Sequence, residues 1–386
     1  MKKLGLPLAV LLVAILLFTG TGIAWRRSDL RDEALSDLHN TLEAVQDLEM
    51  QADSPLVNRR VLYGEQVQER SQPHYERAIA EVIDWDLEWM LGCVRAGGAE
   101  REDLIEAGAI ALQELRLGAH ASDASWDLAE PVRLIHASKL SELAEAHVSS
   151  LLEQGRDEDA AEVLLDLLQF AGDLSQAQLL INGMIGVHLL SPQVLVEMLA
   201  DGSLESLSPA AREKLTTGLR NLDERVTWEV ADLRGEALWV AKGIQRAAHP
   251  RMDGTTDLSG LRKGTEALRT LLRARTELQT AFQNGPLSAL AMLESSLAEA
   301  KELGPDAIQA YITSKVVSAQ SGRLHSVGRF RMLVHALAPS RSPQSPQDPW
   351  LEAFLREEET GVGTRFWLEN NGSTAEFLNV EVLAAR

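Results

Sequence analysis

Trp85 and Trp89 stand four residues apart, with Asp84, Asp86 and Glu88 between and beside them. On a helix that spacing puts both indoles on one face, one turn apart. Indole faces beside carboxylates suit a pocket for a cationic group, whether a small ligand or a Lys or Arg of a partner. The same pattern also serves core packing with the acids turned to water. Trp228 and Trp239 lie off the apolar seam of a long helical pattern; they offer a second packing face or a ridge for a partner. A third group is cationic. Residues 307–347 contain no acid, yet hold Lys315, Arg323, Arg329, Arg331 and Arg341. This stretch reads either as packed against the acidic first half of the chain or as a contact for anionic lipid or another polyanion. The candidate interaction residues are therefore Trp85, Trp89, Trp228, Trp239, Arg323, Arg329 and Arg331.

Nothing in the chain announces a reaction. It has no HExxH, GxSxG, phosphate-binding Walker loop or GxGxxG after a strand. His136 and His147 would share a helical face, but about 16 Å apart, too far for one metal. Asn182 and His188 sit in the most apolar segment and point to different faces; a polar side chain buried there needs a hydrogen-bond partner. Cys93 is the single cysteine, which excludes an intrachain disulfide, a four-cysteine zinc site and a CxxC redox pair. It reads as a small buried hydrophobe. No catalytic residue, cofactor ligand or metal ligand is assigned from the sequence.

The charge is uneven. The 386 residues carry a net −20: residues 1–27 carry +4, residues 28–170 carry −20 and residues 171–386 carry −4. Such acidity argues against a nucleic-acid binder, which needs a basic face to neutralise phosphates. Hydrophobic residues at 45% allow a sizeable core, and aromatics at only 5% beside abundant Leu, Ala and Glu favour helices over β-sandwiches.

The 22 residues from Leu4 to Trp25 are uncharged, flanked by Lys2 and Lys3 before and Arg26 and Arg27 after. As a helix they would span about 33 Å, enough for a hydrocarbon core of about 30 Å. Trp25 and the arginines suit a headgroup boundary. The reading is a single-pass inner-membrane anchor over residues 4–25, with the bulk of the chain extracytoplasmic (periplasmic). The alternative is a signal peptide cleaved after Gly22-Ile23-Ala24, leaving a secreted protein.

Beyond the anchor, residues 28–338 read as a helical domain. Ser28 to Gln51 is a helix capped by Ser28, and residues 53–73 are a loop. Pro73 opens a helix running through both tryptophans to Arg95, and Glu100 to Leu117 is a helix closed by Gly118. Ser138 to Ala171 is a helical hairpin turned at Gly155, like one tetratricopeptide unit, with no second copy at a fixed period. Leu174 to Leu190 reads as a core helix ended by Pro192. Ser208 caps a long helix whose seam runs from Leu215 to Ile244. Further helices span 260–283, 286–303 and 305–338. Residues 339–349 are a proline-rich linker, and 350–386 a small tail in which residues 365–369 and 376–382 form a β-hairpin. The fold class is all-α, an N-terminal transmembrane helix and an irregular helical-hairpin array, with that hairpin at the C-terminus.

Two stretches carry a resemblance. One runs from Leu115 to Leu190, through LRLGAHASDASWDL, LLEQGRDEDAAEVLLDLLQFAGDL and LLINGMIGVHLL. The other is the tail, with its proline-rich linker and Asp348-Pro349-Trp350. Together they resemble a loose group of bacterial membrane-anchored helical proteins of unknown function, whose tail starts with a DPF- or DPW-like motif. The tail departs from that group where a Gly-x-Pro-Leu is replaced by Leu351-Glu352-Ala353-Phe354-Leu355. The resemblance implies an anchored helical body and assigns no catalytic residue. The function expected is that of an envelope scaffold or interaction protein with a protein partner. The alternative is a small-ligand binder or enzyme using an acidic and aromatic pocket near Trp85 and Trp89.

Overall fold

The computed structural model describes residues 33–43, 45, 61–124, 132–176, 180–223, 233–248, 258–282, 286–302, 308–337, 347–348, 353–359, 363–370 and 381–385. The expected anchor, the Ser28 cap, Trp228 and most of the proline-rich segment lie outside them. The described residues are mostly helical. Helix α1 covers residues 33–43. Strand β1 (Val67–Arg70) leads into α2 (Ser71–Val82), α3 (Leu87–Ala96), α4 (Gly98–Ala107) and α5 (Ala109–His120). Strand β2 (Ala121–Asp123) then returns beside β1, in parallel; β1 itself lies in the segment expected to be a loop.

Two expected helices are each split. The run from Pro73 to Arg95 breaks at Ile83–Asp86, because the Asp86 carboxylate accepts the Trp89 amide (2.8 Å) and caps a new helix, α3. The run from Glu100 breaks at Gly108. Gly118, expected as a terminator, lies inside α5, where a Cβ would sit 2.5 Å from the Tyr75 ring. Its role is close packing, not helix termination.

The hairpin is α6 (Leu134–Glu153) and α7 (Asp157–Ser175), reversed at Gly155 with φ +68°. Asp157, Glu158 and Asp159 occupy the first turn of α7, where carboxylates oppose the positive end of the helix. Helix α8 (Leu180–Leu189) lies so close to α7 that a Cβ on Gly186 would be 2.1 Å from the Ser175 amide nitrogen. Then come α9 (Gln193–Asp201), the single turn α10 (Ser203–Ser206) and α11 (Pro209–Asp223). The Ser208 hydroxyl accepts the Ala211 amide (3.2 Å), so Ser208 caps α11 with Pro209 in its first turn. Ile181–Asp201 is the one described stretch with the length and apolarity of a membrane span; 61% of it is buried and Ser191-Pro192 interrupts it, which suits a protein core.

Helices α12 (Arg234–Ala248), α13 (Leu258–Phe282), α14 (Pro286–Glu302) and α15 (Ile308–Leu337) follow. The apolar seam expected along one helix is shared among three clusters. Leu215, Leu219 and Leu222 join the main core of α2–α9, while Leu233 packs with Leu271 and Ala274, and Ala237 and Ile244 with Leu261 and Leu268. The C-terminus differs from a two-stranded hairpin. Strands β3 (Gln347–Asp348), β4 (Ala353–Glu359), β5 (Gly363–Asn370) and β6 (Glu381–Ala385) form a four-stranded antiparallel sheet in sequence order. Strand β3 comes from residues read as linker, and β4 from the acid-rich stretch after Trp350.

Candidate functional site

The tryptophan pair sits where α3 starts. Its rings meet edge to face, 5.8 Å between centroids and 80° between planes. Trp85 packs against the main core, and Trp89 is 49% exposed. The carboxylates expected to face them do not. Asp86 is spent on the cap, and Asp84 and Glu88 are exposed outside the groove. The chain instead reverses through Gly97 and Gly98, both at positive φ, and lays α4 beside α3. That brings Glu100 and Asp103 to a groove of about 410 Å³ lined also by Trp89, Gly92 and Cys93. Gly92 leaves its wall open, with nothing within 4 Å of a Cβ position. Cys93 is buried and free. The groove can seat a cation between an indole and two carboxylates.

A second arrangement, not foreseen from the sequence, runs along the buried side of α7. Asp166, Gln169 and Asp173 follow at i, i+3 and i+7, so they share one face. The Tyr63 hydroxyl donates to Asp166 Oδ1 (2.6 Å), and His120 Nε2 lies 3.6 Å from the same oxygen. His120 Nδ1 is 2.9 Å from the Glu65 carbonyl, and its ring stands edge-on to Tyr63, centroids 4.7 Å apart. Farther along, Asp173 accepts from the Tyr75 hydroxyl and from Gln169 Nε2, each at 2.8 Å. Burial lifts the Asp166 carboxyl above the usual carboxylate range, and burial beside Asp166 pushes the Tyr63 hydroxyl well above its own. The contact with Asp166 raises His120. These groups spend their polarity on one another and pin the turn that carries Tyr63, α2 and α5 to α7. A polar triplet at i, i+3 and i+7 inside an apolar helix was the available signal; its partners, 46 to 103 residues away, were not.

The remaining sequence candidates separate. Trp239 is 46% exposed on α12, far along the chain from the groove. Arg323 is buried, and its guanidinium donates to the Ser175 carbonyl (2.9 Å) at the C-terminal end of α7. Arg331 pairs with Asp223 of α11 at 3.1 Å, and Arg329 is half-buried. These two basic contacts therefore go to a helix end and to α11, outside residues 28–170. Helix-end carbonyls carry negative potential without formal charge, so a charge count misses them. Asn182 is buried and accepts the Val132 amide (2.8 Å), while His188 is exposed. His136 and His147 both lie on α6, each with its imidazole pushed down by burial.

In comparisons with protein-family models, curated proteins and solved structures, nothing matches the chain.

Proposed function

We propose that the chain is a single-pass bacterial inner-membrane protein, anchored through residues 4–25, whose extracytoplasmic helical body is a scaffold that docks a partner protein. The uncharged run from Leu4 to Trp25 and its basic flanks support the anchor. The body is an irregular array of hairpins, with α6–α7 as its tetratricopeptide-like unit. The observation that carries the docking role is the half-exposed Trp89 beside Glu100 and Asp103 in the α3–α4 groove. An Arg or Lys of the partner laid across the indole and between the carboxylates is the occupant that this lining suits. The same lining supports a second reading, a small cationic ligand without a protein partner.

A hexa-arginine peptide titrated into the full chain at physiological salt tests the groove. Trp89→Ala should weaken binding about fivefold, as should Glu100→Gln with Asp103→Asn, whereas Glu33→Gln on α1 should leave it unchanged. Equal weakening by all three changes would reduce the effect to bulk acidity and remove the groove from the function. Competition by tetramethylammonium as strong as by the peptide would favour the small-ligand reading.

A further inference from the structure

One face of α12, at one end of the α1–α12–α13 unit, carries exposed cations, while the acids Glu33 and Asp37 of α1 are paired with Arg262 and Arg269 of α13. Ile244 of α12 packs on Gly264 of α13, and Leu233 packs with Leu271 and Ala274, so the two helices run antiparallel. Glu33 pairs with Arg262 at 3.3 Å and Asp37 with Arg269 at 3.0 Å, so α1 runs parallel to α13. The start of α1, the end of α12 and the start of α13 therefore meet. On α12, Trp239, Lys242, Gly243 and Arg246 are all exposed. At 100° per residue they fall within about 60° of one line along the helix. Gly243 has nothing within 4 Å of a Cβ position, so the middle of that face is open. From Trp239 to Met252 the chain holds Lys242, Arg246, His249 and Arg251 and no acid, and Lys263 is exposed on the first turns of α13.

Chain length says what lies nearby. Eight chain steps run from Trp25 to Glu33, so the end of the apolar run is within about 29 Å of the start of α1. We propose that the Trp239–Lys242–Arg246 face of α12, with Lys263 beside it, is a second membrane contact that rests on anionic phospholipid headgroups next to the anchor. An indole with cations on one helix face suits the headgroup layer, where the ring partitions and the charges meet lipid phosphates. The proposal rests on the anchored reading above. It moves the lipid-facing role from Arg323 and Arg331, which the fold uses internally, to α12.

The test uses the full chain reconstituted into vesicles of phosphatidylcholine alone or with about one-third phosphatidylglycerol. A Gly243→Cys probe carrying the fluorophore NBD, in a Cys93→Ser background, reports the polarity at the face. The expected result is retention in both vesicles, with NBD emission blue-shifted only in the anionic ones. Lys242→Glu with Arg246→Glu should abolish the shift, since each cation contributes about fivefold to surface partitioning, and molar salt should do the same. Retention with identical emission in both lipids overturns the second contact and leaves the anchor standing. Loss of the chain from both vesicles on alkaline wash overturns the anchor, and the second contact with it.

Discussion

Glu145 offers a sharp test of how burial and helix capping compete. It projects from α6 to the start of α9, where Pro192 provides no capping side chain. Its carboxylate accepts the Val194 amide (2.8 Å) and the Ser141 hydroxyl (2.9 Å). Both bonds favour the charged form, yet burial outweighs them, helped by the neighbouring Glu142, and pushes the group up to about 7. In the unfolded chain it titrates near 4.5. Between those values the folded chain holds the extra proton, so the Glu145 contribution to stability falls as pH rises from about 4.5 to about 7 and is flat above. A rise from 4.5 to about 7 corresponds to about 3 kcal/mol. Glu145→Gln keeps an acceptor for the Val194 amide and removes the titration. Urea unfolding of both chains in the same nonionic detergent, followed by circular dichroism from pH 4 to pH 8, gives the difference curve. The variant should match the parent at pH 4 and exceed it by about 3 kcal/mol at pH 8. A constant difference, or a parent that gains on the variant as pH rises, would refute the dominance of burial.

Two substitutions to alanine should part in sign. Gly186→Ala drives a Cβ into the α7 backbone, 2.1 Å from the Ser175 nitrogen, and should cost about 3 kcal/mol or more; Gly243→Ala, in open space inside α12, should gain about 0.5–1 kcal/mol, both read from unfolding midpoints. Arg323→Met should leave the Ser175 carbonyl without its charged donor and cost about 1–3 kcal/mol, with faster amide exchange at the end of α7 and in α15.

Much of the helical frame was legible because periodicity and punctuation agreed. The turn at Gly155, the Ser208-Pro209 start and the bounds of α13 and α14 follow local signals that packing did not override. The break before α3 was hidden because the Trp85–Trp89 spacing suits one continuous helix as well as a new one capped by Asp86. Strands β1 and β2 are four and three residues long, too short for an alternation to register. Strand β4 carries Arg356 to Glu359, a charged run that reads as solvent-facing chain until its pairing with β5 is known. At the candidate site the tryptophans were visible, but their carboxylate neighbours were misassigned. Glu100 and Asp103 reach the groove only through the Gly97-Gly98 reversal, a tertiary consequence.

The acidity of the first half is met in an order that charge counting alone does not give. Glu162 of α7 takes Arg116 from α5 and Lys214 from α11, at 3.0 and 2.7 Å, and Arg101 of α4 binds Glu153 of α6. Glu33 and Asp37 of α1 take Arg262 and Arg269 of α13. The α1 pairs are exposed, with Glu33 70% and Arg262 51% accessible, and such pairs contribute about 0–1 kcal/mol. The docking of α1 must therefore come from the buried Ala34, Leu38 and Val45 on α12 and α13. Leu38 and Val45 are each worth about 1.5–3 kcal/mol by transfer from water. Apolar burial holds α1 down, and the ion pairs select which way it points. Reversing that direction would turn the start of α1 away from the end of α12, so the charges that add least to stability decide which end of α1 lies beside the cationic face of α12.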